Sequence, residues 1–198
     1  MNGVYGVKRE YNAYANLERE TWLDAYGHPT ENEEGYAIKL YDYDLSNSDT
    51  VECYYETYLN AAGVPTKARN GAWGMTMLYY PATLVHTISY IDENGEPIVS
   101  TKGYAILEYE EDEFGNCVWE GYYDAVHAQI NCVDGYASVE RSYDEYGRLI
   151  AERYLDRYNK LTNNAEGFAG WNGYYEDDQL VITNRYDQDR NSLPLDEE

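Results

Sequence analysis

The chain has 198 residues and a formal net charge of −23, from 14 Lys and Arg against 37 Asp and Glu. That balance repels nucleic acid and anionic membrane surfaces, because phosphate recognition needs clustered basic side chains. No run is long and apolar enough to span a membrane, and Met1 and Asn2 lead straight into patterned sequence with no visible leader peptide.

A glycine recurs at Gly3, Gly35, Gly71, Gly103, Gly135 and Gly167, at intervals of 32, 36, 32, 32 and 32 residues. Four of these continue with an aromatic residue and alanine: Gly35-Tyr36-Ala37, Gly103-Tyr104-Ala105, Gly135-Tyr136-Ala137 and Gly167-Phe168-Ala169. A fixed period of this size marks a stacked repeat protein. The units are 3–34, 35–70, 71–102, 103–134, 135–166 and 167–191, with a polar tail at 192–198 expected to fray. The chain reads as an excised stretch of a longer array.

In the first unit, residues 11–25 include the good helix formers Glu18, Arg19 and Glu20. Their counterparts at 87–90 and 118–123 favour strand, and equivalence between units decides for strand. The second unit carries a four-residue insertion, placed around 45–50. Two turns punctuate each unit. One is clearest as Asp112-Glu113-Phe114-Gly115 and Asp144-Glu145-Tyr146-Gly147, where aspartate opens a type I turn and glycine takes the left-handed position. The other is Asp24 to Pro29, Asn60 to Pro65 and Asp92 to Pro97, where proline halts strand pairing. In later copies Asp124 and Asp156 remain, but the glycine and proline are gone, so this second turn is less defined there. Between the turns lie runs rich in β-branched and aromatic residues. The expected fold is all-β: a tandem array of β-hairpins, six units of about 32 residues, forming an elongated solenoid or superhelical sheet.

Several columns line up across units. Fourteen residues after each glycine stand Leu17, Cys53, Val85, Cys117, Leu149 and Val181; nineteen after stand Trp22, Tyr58, Tyr90, Tyr122, Tyr154 and Tyr186, once the insertion is allowed for. Eight after are Tyr11, Tyr43, Tyr79, Glu111, Tyr143 and Tyr175, and four after are Val7, Lys39, Met75, Leu107, Val139 and Trp171. Positions filled alike belong in like surroundings, so these columns are expected to form a continuous seam of stacked side chains.

Chemistry is sparse. There is no phosphate loop, nucleophile elbow or dinucleotide fingerprint. His28 and His127 fall in the second turn, and His86 sits beside Val85. Cys53 and Cys117 share a column two units apart, too far to bridge, and read as small buried hydrophobes; Cys132 lies in a loop, and no Cys-x-x-Cys exists. The Asp-x-x-Gly turns lack the converging oxygens of a calcium loop. No catalytic residue, metal or cofactor is assigned, and an enzyme is disfavoured because repeats spread residues evenly. The chain has 25 Tyr against 2 Phe. That choice implies half-buried rings with one wet edge, either as cross-strand ladders or as shallow grooves that stack on sugars or hold quaternary ammonium groups.

Tyr143-Asp144-Glu145-Tyr146-Gly147-Arg148-Leu149-Ile150 resembles the Tyr-Asp repeat of Rhs proteins and teneurins, with its Tyr-Asp-x-x-Gly-Arg-Leu core. Asp112 to Gly115 keeps the turn with Glu111 in place of tyrosine, and Tyr43-Asp44 keeps the pair without the glycine. The resemblance implies a strand-rich module on a large bacterial surface or secreted protein. Gly167 to Trp171 and Trp171 to Tyr175 are similar to the choline- and cell-wall-binding aromatic hairpins of Gram-positive surface proteins, which implies a glycan or choline ligand. The expectation is therefore a non-enzymatic, extracellular spacer or display scaffold. The alternative is a cell-wall, glycan or choline binder using the column Trp22, Tyr58, Tyr90, Tyr122, Tyr154 and Tyr186. Unpaired edges at the array ends imply end-to-end self-association.

Overall fold

The computed structural model describes residues 3–44 and 52–195. The insertion expected at 45–50 and the side chain of Cys53 fall outside them. The described residues form one antiparallel sheet of 13 strands in which every strand pairs only with its sequence neighbours. Six hairpins follow one another: β1 (Gly6–Tyr11) with β2 (Leu17–Leu23), β3 (Ile38–Asp44) with β4 (Glu52–Leu59), and β5 (Gly74–Tyr80) with β6 (Val85–Ile91). Then come β7 (Ile106–Glu111) with β8 (Cys117–Tyr123), β9 (Ser138–Tyr143) with β10 (Leu149–Leu155), and β11 (Gly170–Glu176) with β12 (Gln179–Tyr186). A two-residue β13 (Ser192–Leu193), inside the segment expected to fray, pairs with the end of β12. The helix-compatible stretch 11–25 forms no helix: it is the end of β1, the tip turn at 12–16, β2 and the start of a base turn, in line with its counterparts.

Within a hairpin the ladder is long, as in the seven pairs from Gly74↔Ile91 to Tyr80↔Val85. Between hairpins it is short at β2–β3, β8–β9 and β10–β11, three pairs each at the base. At those three boundaries the hairpins are joined at their bases alone, whereas β4–β5 and β6–β7 stay paired toward the tips, with six and five pairs.

Two turns, not one, separate each of β2, β4, β6, β8 and β10 from the next strand, while β12 and β13 are joined by one. In the first, an Asp or Asn side chain accepts two backbone N–H groups, as Asp24 Oδ1 does from Tyr26 (2.8 Å) and His28 (2.9 Å). The same pair of bonds forms at Asn60, Asp92, Asp124, Asp156 and Asp187. The later copies therefore keep a turn that looked less defined in sequence. His127 (φ 61°), Asn159 (φ 58°) and Arg190 (φ 65°) occupy the left-handed position held by Gly27, Gly63 and Gly95. The aspartate bonds hold that conformation against its steric cost. Proline is dispensable too, because a single bridge forms equally at Pro29, Pro65, Pro97, Gln129 and Leu161, and the N–H given to the preceding strand belongs to the next residue, such as Thr30 or Ile130.

The second base turn ends on the recurring glycine, and it explains the period. Gly35, Gly71, Gly103, Gly135 and Gly167 all have φ between 86° and 93°, the region glycine enters without strain. These turns also stack. The N–H of Arg69, Thr101, Val133 and Ala165 donates to the carbonyl of Glu34, Asn70, Lys102 and Asp134 in the preceding unit, at 2.8, 2.8, 3.2 and 2.7 Å. The alanine of the Gly-aromatic-Ala motif is fully buried at Ala37, Ala105, Ala137 and Ala169. Its N–H and carbonyl both bond across strands, as Ala137 N–H to Leu155 and Tyr122 N–H to Ala137.

Candidate functional site

The predicted column sits along the base of the sheet. Val7, Lys39, Met75, Leu107 and Val139 pair directly opposite Trp22, Tyr58, Tyr90, Tyr122 and Tyr154, which puts both columns on one face. The rings of the Gly-aromatic-Ala motif insert between them to make a single file. Trp22 meets Tyr36 edge-on at 5.2 Å between centroids, and Tyr36 stacks on Tyr58 at 4.4 Å and 6°. After a break at Ala72, the file resumes as Tyr90–Tyr104 (5.9 Å), Tyr104–Tyr122 (4.8 Å), Tyr122–Tyr136 (5.7 Å), Tyr136–Tyr154 (4.6 Å) and Tyr154–Phe168 (5.8 Å). Tyr58, Tyr90, Tyr122 and Tyr154 are 5–8% exposed. Each is buried against at least one neighbouring ring, so a ligand could stack on them only by opening the file.

The column's sixth position differs from the sequence alignment. Unit six closes its hairpin with the two-residue turn Asp177-Asp178, both at positive φ, so Glu176 pairs with Gln179. The shortened hairpin shifts the register by one residue. Gly170 pairs with Tyr186, whereas Ile106 pairs with Tyr123. Arg185 therefore takes the ring's place, its guanidinium 4.7 Å from the centre of Phe168, and Tyr186 falls outside the file.

Two residues before the ring, four units carry a glutamate: Glu20, Glu56, Glu120 and Glu152. The ring hydroxyl of Tyr58, Tyr122 and Tyr154 donates to its own glutamate. Cations complete the row. Arg9 donates to Glu20 at 2.8 Å, Lys39 to Glu56 at 3.2 Å, and Arg141 bridges Glu120 and Glu152 at 3.0 Å each. Glu152 also accepts the Trp171 indole N–H at 3.0 Å. Burial works against the Glu20 anion, but Tyr41 and Arg9 outweigh it and hold this carboxyl below its ordinary range. Desolvation, then the adjacent carboxylate, pushes the hydroxyls of Tyr58, Tyr122 and Tyr154 well above the usual phenol range. These carboxylates accept bonds from ring hydroxyls, an indole N–H and neighbouring cations, which suits holding rings in place.

Toward the tips the surroundings become mixed. Tyr43 and Tyr143 donate their hydroxyls to the carbonyls of Leu17 and Cys117 in the preceding hairpin, at 2.9 and 2.8 Å. His86 stacks between Tyr79 (4.3 Å) and Tyr109 (4.4 Å) with Nε2 3.3 Å from Glu111. Cys117, expected in the buried seam, is half-buried near a tip, its thiol pushed up by burial and its Sγ 3.2 Å from the Arg141 guanidinium. Cys132 is buried and opens one of the stacking turns. Among the described residues no group of three His, Cys, Asp or Glu side chains could hold a metal ion.

Five strongly exposed aromatic residues stand at the third position of turns, where the sequence suggested no function. At the tips these are Tyr14 (82% exposed), Phe114 (82%) and Tyr146 (73%); at the base they are Tyr26 (86%) and Tyr158 (66%). Phe114 and Tyr146 flank a cleft of about 760 Å³ between the fourth and fifth tips, which Asn116, Arg141 and Tyr143 also line. Their shared turn position was the available signal, since a side chain two residues past the turn-opening aspartate points away from both strands. No family model matches the chain, and no curated protein shows significant similarity to it.

Proposed function

We propose that the chain is a non-enzymatic repeat module of a bacterial surface or secreted protein, serving as a spacer or display scaffold. The observation that carries this reading is the buried file of rings: the aromatic investment of the sequence goes into joining one hairpin to the next. Thirteen strands at about 4.8 Å spacing reach about 60 Å along the sheet, and each added hairpin would lengthen it without altering what exists. The resemblance of residues 143–150 to the Tyr-Asp repeat supports the surface or secreted setting. A thermal-shift screen against cell-wall polysaccharides, teichoic acid and choline tests the reading. A scaffold shows no shift at any of them, and a saturable shift would overturn it.

A glycan-binding module is the second reading, and one observation favours it: neighbouring tips present Phe114 and Tyr146 to solvent across a cleft with polar groups. Binding through that cleft would be lost in Phe114→Ala/Tyr146→Ala and kept in Tyr90→Phe. Binding through the buried column would show the reverse sensitivity to column substitutions.

A further inference from the structure

The five boundaries between hairpins repeat one set of contacts, and the β1 end of the sheet carries half of that set. Val139 is fully buried where the preceding hairpin covers it, whereas its counterpart Val7 is 38% exposed. Tyr43 and Tyr143 spend their hydroxyls on a carbonyl of the hairpin before them; their counterpart Tyr11 is 58% exposed. Tyr5 is 78% exposed, and it borders a cleft of about 830 Å³ with Val4, Trp22 and Tyr36, the first rings of the file. At the other end, β13 covers only Arg185 and Tyr186, so among the described residues no strand lies along 179–184 on the side of β12 facing away from β11, and Leu180 is 39% exposed.

We propose that the β1 end face is a docking site for the β12 end of a second copy of this chain. Residues 6–8 would pair with residues 182–184 as Ile38 to Leu40 pair with Arg19 to Thr21 inside the chain. The occupant follows from continuity with an interface the chain already builds five times, and the edge left open at β12 is the one that β3, β5, β7, β9 and β11 meet in their own boundaries. The two faces differ, so the contact is head-to-tail and does not close on itself. With −23 charges per copy, the contact strengthens as salt screens repulsion between copies.

Sedimentation velocity at near-physiological salt tests this with the whole chain and two variants, Val7→Lys at one end and Leu180→Lys at the other, each checked for an unchanged melting temperature. The expected result is that wild type grows past the dimer with concentration, while each variant alone stays at the monomer mass of 22.9 kDa. An equimolar mixture of the two variants forms dimers and nothing larger, because only one intact pair of faces remains. A wild type that stays monomeric at all concentrations overturns the proposal. So does a wild type that stops at a dimer, which would mean that two like faces join.

Discussion

Tyr122 at the base of the fourth hairpin is 5% exposed and touches a ring on either side, at 4.8 and 5.7 Å. Tyr146, at the tip of the fifth, is 73% exposed, and its ring contact is the Arg148 guanidinium at 5.0 Å. The same amino acid thus does two different things a few strands apart. At the base, the paired turns, four turn-to-turn backbone bonds and a buried alanine in four of the units accompany one register shared by the first five hairpins. At the tips the connection varies freely: four-residue turns at Asp112 and Asp144, Asn12 to Ala15 with φ 65° at alanine, and a two-residue turn at Asp177-Asp178. The base specifies the stack, and the tips are where sequence can change without disturbing it.

Alkali is the strongest way to set the two regions apart. Desolvation pushes Tyr36, Tyr58, Tyr104, Tyr122 and Tyr154 up, and Tyr136 up to about 12, from an ordinary value of 10.0. The folded state therefore favours the neutral phenol. The stability this contributes is complete below about pH 10 and is lost as pH rises through the raised values. Tyrosinate absorbance should show a late step that coincides with loss of the far-ultraviolet circular dichroism of the sheet. A single smooth titration with the fold intact would break the comparison.

Next in size is truncation at the two places. Tyr122→Ala should cost about 3–5 kcal/mol by urea unfolding, the range for large buried aromatics, while Tyr146→Ala should stay within about 0.5 kcal/mol. Equal losses would mean that the tips matter as much as the base. Between these lies the tip turn itself. Asp144 Oδ1 accepts the N–H of Tyr146 (2.9 Å) and Arg148 (3.0 Å), and Oδ2 accepts from the Arg148 side chain at 2.8 Å. Asp144→Ala should cost about 1 kcal/mol. An effect as large as that of Tyr122→Ala would place the tip turn among the elements that hold the stack.

The repeat, the hairpins and the opposed columns were legible because glycine, turn aspartate and alternating aromatics each report a backbone requirement directly. Hidden from the sequence was the second base turn. Its opening residue varies as Asn32, Ala68, Ser100, Cys132 and Asn164, since a main-chain bond to the glycine N–H and a stacked neighbour stabilise it whatever the side chain. The register shift in unit six was also hidden, because Tyr186 keeps the expected spacing from Gly167 while the shortened tip moves it off the file. The burial of the column could not be read either. A tyrosine is as suitable for a wet groove as for a core, and only the glutamate two residues earlier, in Glu56-Thr57-Tyr58, Glu120-Gly121-Tyr122 and Glu152-Arg153-Tyr154, supplies a partner that lets its hydroxyl go inside.

Rings that support one another from unit to unit hold the array together, and a double-mutant cycle between Tyr104 and Tyr122 measures that most directly. Adjacent rings at 4.8 Å should show a coupling of about 0.5–1.5 kcal/mol, while the distant pair Tyr36 and Tyr154 should be additive. Additivity at Tyr104 and Tyr122 would contradict it.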